Sequence, residues 1–391
     1  MKSNYKKLGN YIQLVDVRNK ELKDLPLVGV TVNKKFISSV ANTIGTNMKG
    51  YKIIKRNQFA CSLMQVRRDG KIPVALFKDE EAIISQAYPV FEIVDENKLL
   101  PQYLMMWMSR SEFDREACFY AVGGVRGSLE WEDFCAMELP IPSIEKQREI
   151  VAEYYAITNR IKLNEQLNQK LEETAQSSYK EWFVHFEFPH NFSHSELDSE
   201  SDIRPYKSNG GEMVWCEELR KEIPKGWGIV SLDEVLTIKY GKDYKNLENG
   251  NIPLYGSGGI MGYVNDHLYS GKAILIPRKG SLNNIIYLNQ SFWTVDTMFY
   301  SIVKSSSYNQ YLFHILKSMD FYSLNVGSAV PSMTTKLLNS LRILKPQSTV
   351  LDNFEKNITT FFDYKNEKVK EINILELLKE TLLSKMATVE G

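Results

Sequence analysis

Gln102-Tyr103-Leu104 and Gln310-Tyr311-Leu312 decide the architecture of this chain. Each tripeptide follows an aromatic strand pattern, around Phe91 in the first case and Phe299 in the second. Each leads through a Gly-Ser element, Gly127-Ser128-Leu129 or Gly327-Ser328-Ala329, to a proline stop at Pro142 or Pro346. Beyond each stop the apolar residues take up helical spacing. The order is globular unit, long helix, globular unit, long helix. A repeat of this size is too long for a solenoid and too regular for two unrelated domains, so it describes a duplicated molecule with approximate two-fold symmetry. Such a molecule holds two similar surfaces a fixed distance apart.

From Ser143 onward, Ile150, Tyr154, Ile157, Ile161, Leu167 and Leu171 recur mostly at steps of three and four, with a polar break at Asn164. The pattern continues through Tyr179, Trp182 and Phe183 and ends before Pro189. Roughly forty helical residues span about 60 Å. A globular domain seldom contains so long a helix, so a coiled-coil spacer is the better reading. The last segment repeats the stripe with Phe354, Ile358, Phe361, Phe362, Val369, Ile372, Leu375, Leu378, Leu382 and Met386. Two such helices pack against each other in preference to exposing those stripes to water. An apolar stripe is more often plain core than a partner site. Here the two readings overlap, because the core of a helix pair is also the spacer.

A chain of 391 residues has room for two or three domains. No apolar run is long enough to span a bilayer, and the N-terminus, with Lys2, Lys6 and Lys7, lacks the apolar core of a signal peptide. Cys61, Cys118, Cys135 and Cys216 are scattered without paired metal spacing and read as reduced thiols of a cytoplasmic protein. Net charge is zero, but its distribution is uneven. Through Glu80, Lys and Arg exceed Asp and Glu by roughly ten, and the stretch to Glu200 reverses that by about as much. Separate basic faces and acidic helices fit a DNA reader held in a larger assembly. Ordinary surface patchiness is the plainer alternative.

The first unit shows short strand patterns at Tyr11–Val15, Val28–Val32, Ile72–Phe77, Ala82–Ile84 and Val90–Val94. Pro73 has no N–H for a ladder, so the third lies at an edge or begins after the proline. The stretch 190–211, rich in Asn, Ser, Asp and Glu, reads as a linker. The second unit shows strands at Leu254-Tyr255, Ala273–Ile276, Ile285–Leu288 and Met298–Ile302.

Several kinds of chemistry have no motif here. There is no Gly-x-x-x-x-Gly-Lys-Ser/Thr loop, no glycine-rich dinucleotide fingerprint and no Asn/Asp-Pro-Pro-aromatic tetrapeptide. His190 and His194 share helical spacing but sit in the polar linker, where a solvated loop is the plainer reading. No catalytic triad, metal site or cofactor site is assignable, and the chain reads as non-catalytic.

Two constellations remain. Arg67-Arg68-Asp69-Gly70-Lys71 is a basic turn between strands, with Lys34-Lys35 and Lys55-Arg56 nearby in sequence. Arginine forks onto guanine edges, while lysine more often sits on phosphate; the same turn also fits a solvated charged hairpin. In the second unit, Tyr255-Gly256-Ser257-Gly258-Gly259 precedes Ile276-Pro277-Arg278-Lys279-Gly280-Ser281. A Gly-rich loop lets backbone N–H groups approach phosphate, and the second loop offers base-edge and backbone contacts. Two tight turns with glycines for positive φ explain the same residues.

The sequence resembles the DNA-specificity subunit of a type I restriction-modification enzyme over nearly its whole length. The matching residues are Ile223-Pro224-Lys225-Gly226-Trp227, Tyr255-Gly256-Ser257-Gly258-Gly259-Ile260, Arg278-Lys279-Gly280-Ser281 and Phe292-Trp293-Thr294-Val295-Asp296-Thr297. The exit Leu139-Pro140-Ile141-Pro142-Ser143 into Glu145–Ile150 matches as well. The resemblance implies two target-recognition domains, each reading half of a bipartite double-stranded DNA site in the major groove. It implies that two long antiparallel helices fix the unread spacer and dock two methylation subunits. Adenine methylation and ATP-driven cleavage then belong to partner chains, the latter to restriction (translocase/nuclease) subunits. Two departures stand out: the first unit lacks the Pro-Lys-Gly-Trp opening and the Gly-Ser-Gly-Gly loop, and the exit after Pro346 is weaker than its counterpart.

The expected fold is therefore α+β, with two similar recognition domains separated by two long helices pairing as an antiparallel coiled coil. Expected boundaries are 1–142 and 212–346 for the recognition domains, 143–188 and 347–391 for the spacer helices, and 189–211 for the linker. Expected DNA contacts are Lys34, Lys35, Arg67, Arg68, Lys71 and Arg126 in the first unit, and Tyr255, Ser257, Gly258, Arg278, Lys279 and Ser281 in the second. Expected helix positions facing partners are Ile150, Ile157, Ile161, Leu167 and Leu171 with Ile358, Phe362, Val369, Ile372, Leu378 and Leu382. No metal, cofactor or membrane partner is expected. The rivals are a self-contained DNA-modifying enzyme and a coiled-coil interaction protein with protein-binding ends.

Overall fold

The computed structural model describes residues 5–39, 47–122, 127–191, 203–324 and 331–388. It is α+β and divides into two compact units, Met1–Glu165 with Lys370–Gly391, and Gln166–Val369. Each unit combines a globular part with portions of both long helices, Ile144–Phe183 and Ser348–Lys385.

The duplication is visible in strand order. In the first unit a sheet runs Ile12–Val15, Val90–Ile93, Phe59–Cys61, Val74–Leu76, all antiparallel. In the second, Leu236–Tyr240, Met298–Val303, Tyr269–Pro277 and Ile286–Thr294 stand in the same order and sense. There the sheet continues through Asn249–Gly256 and Gly259–Val264. The first unit instead has a separate sheet of Phe36–Ser38, Leu27–Val30, Glu81–Ile84 and Lys52–Lys55. Each unit also pairs a strand that precedes its main sheet with the strand before its long helix: Tyr5–Lys7 with Glu138–Pro140, and Gly228–Ser231 with Arg342–Lys345.

The repeated tripeptide is the lock of each unit. Tyr103 and Tyr311 are fully buried, and each donates its hydroxyl to a carbonyl of the exit strand, Pro140 O at 3.1 Å and Leu344 O at 2.7 Å. A buried phenol left without a partner loses its hydration for nothing, so this bond fixes the helix against the exit strand. Burial pushes the pKa of both phenols up, keeping them as donors. At the start of the first long helix, buried Gln147 accepts from Leu100 N–H at 2.9 Å and donates to Lys98 O and Pro142 O. It thereby ties that helix to the N-terminus of the helix bearing Tyr103.

The two long helices run antiparallel within each unit. In the first, Arg160 pairs with Glu371 at 2.5 Å, while Ile150, earlier in its helix, shares a core with Leu382 and Leu383, later in theirs. In the second, Glu172 pairs with Lys365, and Trp182 and Phe183 pack on Phe354 with ring centroids 5.4 and 4.8 Å apart.

Most expected strands form, and Val74–Leu76 begins directly after Pro73. Two expectations are corrected. Val66–Asp69 is a short helix between left-handed Gln65 and Gly70 where a turn was expected. The polar stretch expected as a linker is paired at both described ends, Pro189–Asn191 against Ile203–Pro205. Phe188 stacks on Tyr206 and Trp227 there, at 4.6 and 5.3 Å, and this aromatic cluster holds the ends.

Candidate nucleic-acid interface

In the second unit the two loops singled out by sequence come together. Strands Asn249–Gly256 and Gly259–Val264 form a hairpin whose connection is Ser257-Gly258. A Cβ placed on Gly280, which has φ +82°, meets Ser257 Oγ at 3.0 Å, so the loop after Pro277 packs directly on that hairpin tip. Asn284 Nδ2 donates to Ser257 O at 2.9 Å and closes the contact. Gly258, Lys279 and Ser281 are exposed, and Ser257 and Arg278 half-buried, so the five make a polar, cationic rim.

Tyr255 does not belong to that rim. It is 6% exposed, within a core of Ala273, Leu275, Leu288, Phe292, Met298 and Tyr300, while its neighbour Leu254 is buried in a second core with Val264, Trp293 and Val295, so this end of the strand is covered on both faces. Sequence reading missed the exposed aromatics beside the loops. Tyr240 lies under the Arg278 guanidinium at 5.5 Å, and the Tyr322 hydroxyl donates to Gly280 O at 3.4 Å. Ile260, Met261 and Tyr263 are exposed along the hairpin. For Tyr240, Ile260, Met261 and Tyr263 the signal was an aromatic or apolar residue on a strand, which composition alone does not separate from core; Tyr322 stands in a turn.

In the first unit Arg67, Arg68 and Lys71 are exposed on and just after helix Val66–Asp69. Arg68 pairs with Asp69 at 2.7 Å. Arg67 N–H donates to Gly127 O at 3.2 Å, and any Cβ at Gly127 collides with the Arg67 side chain, so this glycine is required by close approach. Lys35 is exposed. Lys34 is not available to DNA: its ammonium is buried in an ion pair with Asp114 at 2.7 Å and donates to Met108 O. Arg126 lies outside the described residues.

The helix positions expected to face partners mostly face inward. Ile150, Ile161, Ile358 and Leu382 are buried, and Ile157, Leu167, Leu171, Phe362 and Ile372 are half-buried. Regular stripes mark the seam of a helix pair, so they identify core. Val369 and Leu378 are exposed, and with them Leu163, Ile374 and Leu377, which stand off the stripe. Among the described residues no group of three His, Cys, Asp or Glu side chains is arranged to hold a metal, and no helix is long and apolar enough to cross a membrane.

The family model for the type I restriction modification DNA specificity domain matches this chain twice, at residues 18–173 and 224–376. The chain belongs to that family. Its specificity subunits are non-catalytic DNA-binding components of restriction-modification systems. This specificity subunit is 23% identical over 313 residues to the MjaIX specificity subunit of Methanocaldococcus jannaschii, covering 73% of this chain and 67% of that one. It is 27% identical over 165 residues to the HindI specificity subunit of Haemophilus influenzae, covering 41% of this chain and 35% of the other. The S subunit of a type I system from M. genitalium shares its fold at a TM-score of 0.61 and 16% identity, over 99% of this chain and 96% of that one.

Proposed function

We propose that this specificity subunit recognises a bipartite double-stranded DNA target, one half through each globular unit. It thereby directs adenine methylation, or ATP-dependent cleavage, carried out by two methylation subunits and by restriction subunits. The recognition domains are 1–142 and 212–346, joined through 189–211, with 143–188 and 347–391 as the spacer helices. One observation carries this reading: a single sheet topology occurs twice with different cationic loops beside it. Arg67, Arg68 and Lys71 serve one copy and Ser257, Arg278 and Lys279 the other. A shared scaffold with divergent cationic loops is what two unlike half-sites require. Leu163, Ile374, Leu377 and Leu378, exposed on the long helices of the first unit, supply an apolar surface for a methylation subunit.

Exchanging residues 212–346 for the corresponding segment of another specificity subunit tests this in cells that make the methylation subunits. One half of the methylated motif is expected to change while the other half stays. A motif altered in both halves, or in neither, contradicts one recognition half per unit.

A further inference from the structure

Arg278 is held on several sides. Its N–H donates to Thr297 O at 2.8 Å, its carbonyl accepts from Met333 N–H at 2.8 Å, and Gly280 N–H donates to Pro331 O at 3.1 Å. The loop backbone is thus pinned to two neighbouring segments. The side chain is fixed as well: Nη1 donates to Asp296 O at 3.2 Å, and the guanidinium lies over the Tyr240 ring at 5.5 Å. Tyr240 is itself anchored, edge-on to Phe299 at 5.1 Å and with its hydroxyl 3.2 Å from Thr335 Oγ1.

We propose that Arg278 is a base-reading arginine of the second unit, donating to a guanine edge in the major groove. Tyr240 is the positioning residue that sets the plane of its guanidinium, and exposed Lys279 contacts phosphate. This rests on the DNA-reading function above. The O6 and N7 acceptors of guanine lie in one plane, so a bidentate contact needs the guanidinium oriented before the base arrives. Phosphate accepts from many directions and gains little from such restraint. An aromatic face orients a guanidinium without consuming its donors, and the single carbonyl contact leaves the rest of the fork open.

Strand register shows that the device belongs to this unit. Ile276 and Pro277 face Phe299 and Met298, as Phe59 and Ala60 face Phe91 and Val90. Cys61 N–H then donates to Pro89 O at 3.1 Å, as Arg278 does to Thr297, so fully buried Cys61 occupies the position of Arg278. Leu14, facing Phe91, occupies that of Tyr240, which faces Phe299. The first unit must read its half by other side chains.

The test maps methylated adenines in cells making the full-length chain with its methylation subunits. Arg278→Gln is expected to lower discrimination at one guanine position of one half-motif by about tenfold to a hundredfold. Tyr240→Leu should relax that same position, and Tyr240→Phe, which keeps the ring, should restore it. Lys279→Ala should lower methylation evenly at all sites with the motif unchanged. An Arg278→Gln protein with an intact motif, or one weakened evenly at every site, overturns the base-reading role. Equal behaviour of the Leu and Phe variants at that position overturns the role of Tyr240. If Tyr240→Leu abolishes methylation altogether, the surface-borne Arg278→Gln change decides. The absence of any methylated split motif in cells making the wild-type chain with its methylation subunits sinks the proposed function, whereas a split motif indifferent to Arg278 sinks only this inference.

Discussion

Replacing Asp114 by alanine is expected to destabilise the first unit by about 3–5 kcal/mol, because it leaves the buried Lys34 ammonium without its counter-charge. The two side chains are 9% and 10% exposed and 2.7 Å apart. Asp114 also accepts from Ile72 N–H at 3.1 Å, so its loss strands a second donor. Burial lowers the pKa of Lys34, and the bond and charge of Asp114 oppose that. The double change Asp114→Ala with Lys34→Met removes charge and counter-charge together and should recover a large part of the loss. Urea denaturation of the wild type and the two variants measures it. A single-variant cost near that of an exposed pair, about 1 kcal/mol or less, shows that the pair is not desolvated as described.

The second large effect is acid sensitivity of the second unit through His314. Burial holds its pKa down, from 6.5 to about 3, with the Lys317 charge adding to the effect and Glu172 opposing it. The ring stacks on Tyr179 at 6.0 Å, and its Nδ1 lies 3.0 Å from Gln176 Oε1. It lines a cavity of about 320 Å³, where Glu172 also meets Lys317 and Lys365. The folded state favours the neutral ring, so this stabilisation is complete above the unfolded pKa of 6.5 and is lost as pH falls from there towards 3. The loss approaches about 1.4 kcal/mol per pH unit and roughly 4–5 kcal/mol over the whole window. Stability measured from pH 7 to pH 4 should therefore fall more steeply for the wild type than for His314→Phe. Parallel curves contradict a neutral buried imidazole.

The duplication, the two long helices and the pairing of their stripes were legible in the sequence because each rests on many residues in register. Single cations were less legible. Lys34 and Lys35 look alike in sequence, yet a left-handed backbone at Lys34 (φ +58°) accompanies the turn of its side chain towards Asp114, eighty positions away. Lys52 sits in strand Lys52–Lys55 and sends its ammonium to Tyr88 O at 2.8 Å, which hides a strand behind a charge. Phe59–Cys61 spans three residues, too short for a period of two to stand out. Tyr255 and Tyr240 show the same difficulty at the interface. Both are strand tyrosines beside a glycine, and only sheet pairing decides that one is core and the other lies under Arg278. On the helices, regularity itself favoured the buried seam over Ile374 and Leu377, whose exposure follows from standing off the stripe.

The most direct measurement is a genome-wide map of methylated adenines in cells making this chain with its methylation subunits. The account predicts one motif, split into two specific halves by an unread spacer of constant length. A continuous motif, or no methylation despite a stable complex of the subunits, would contradict it.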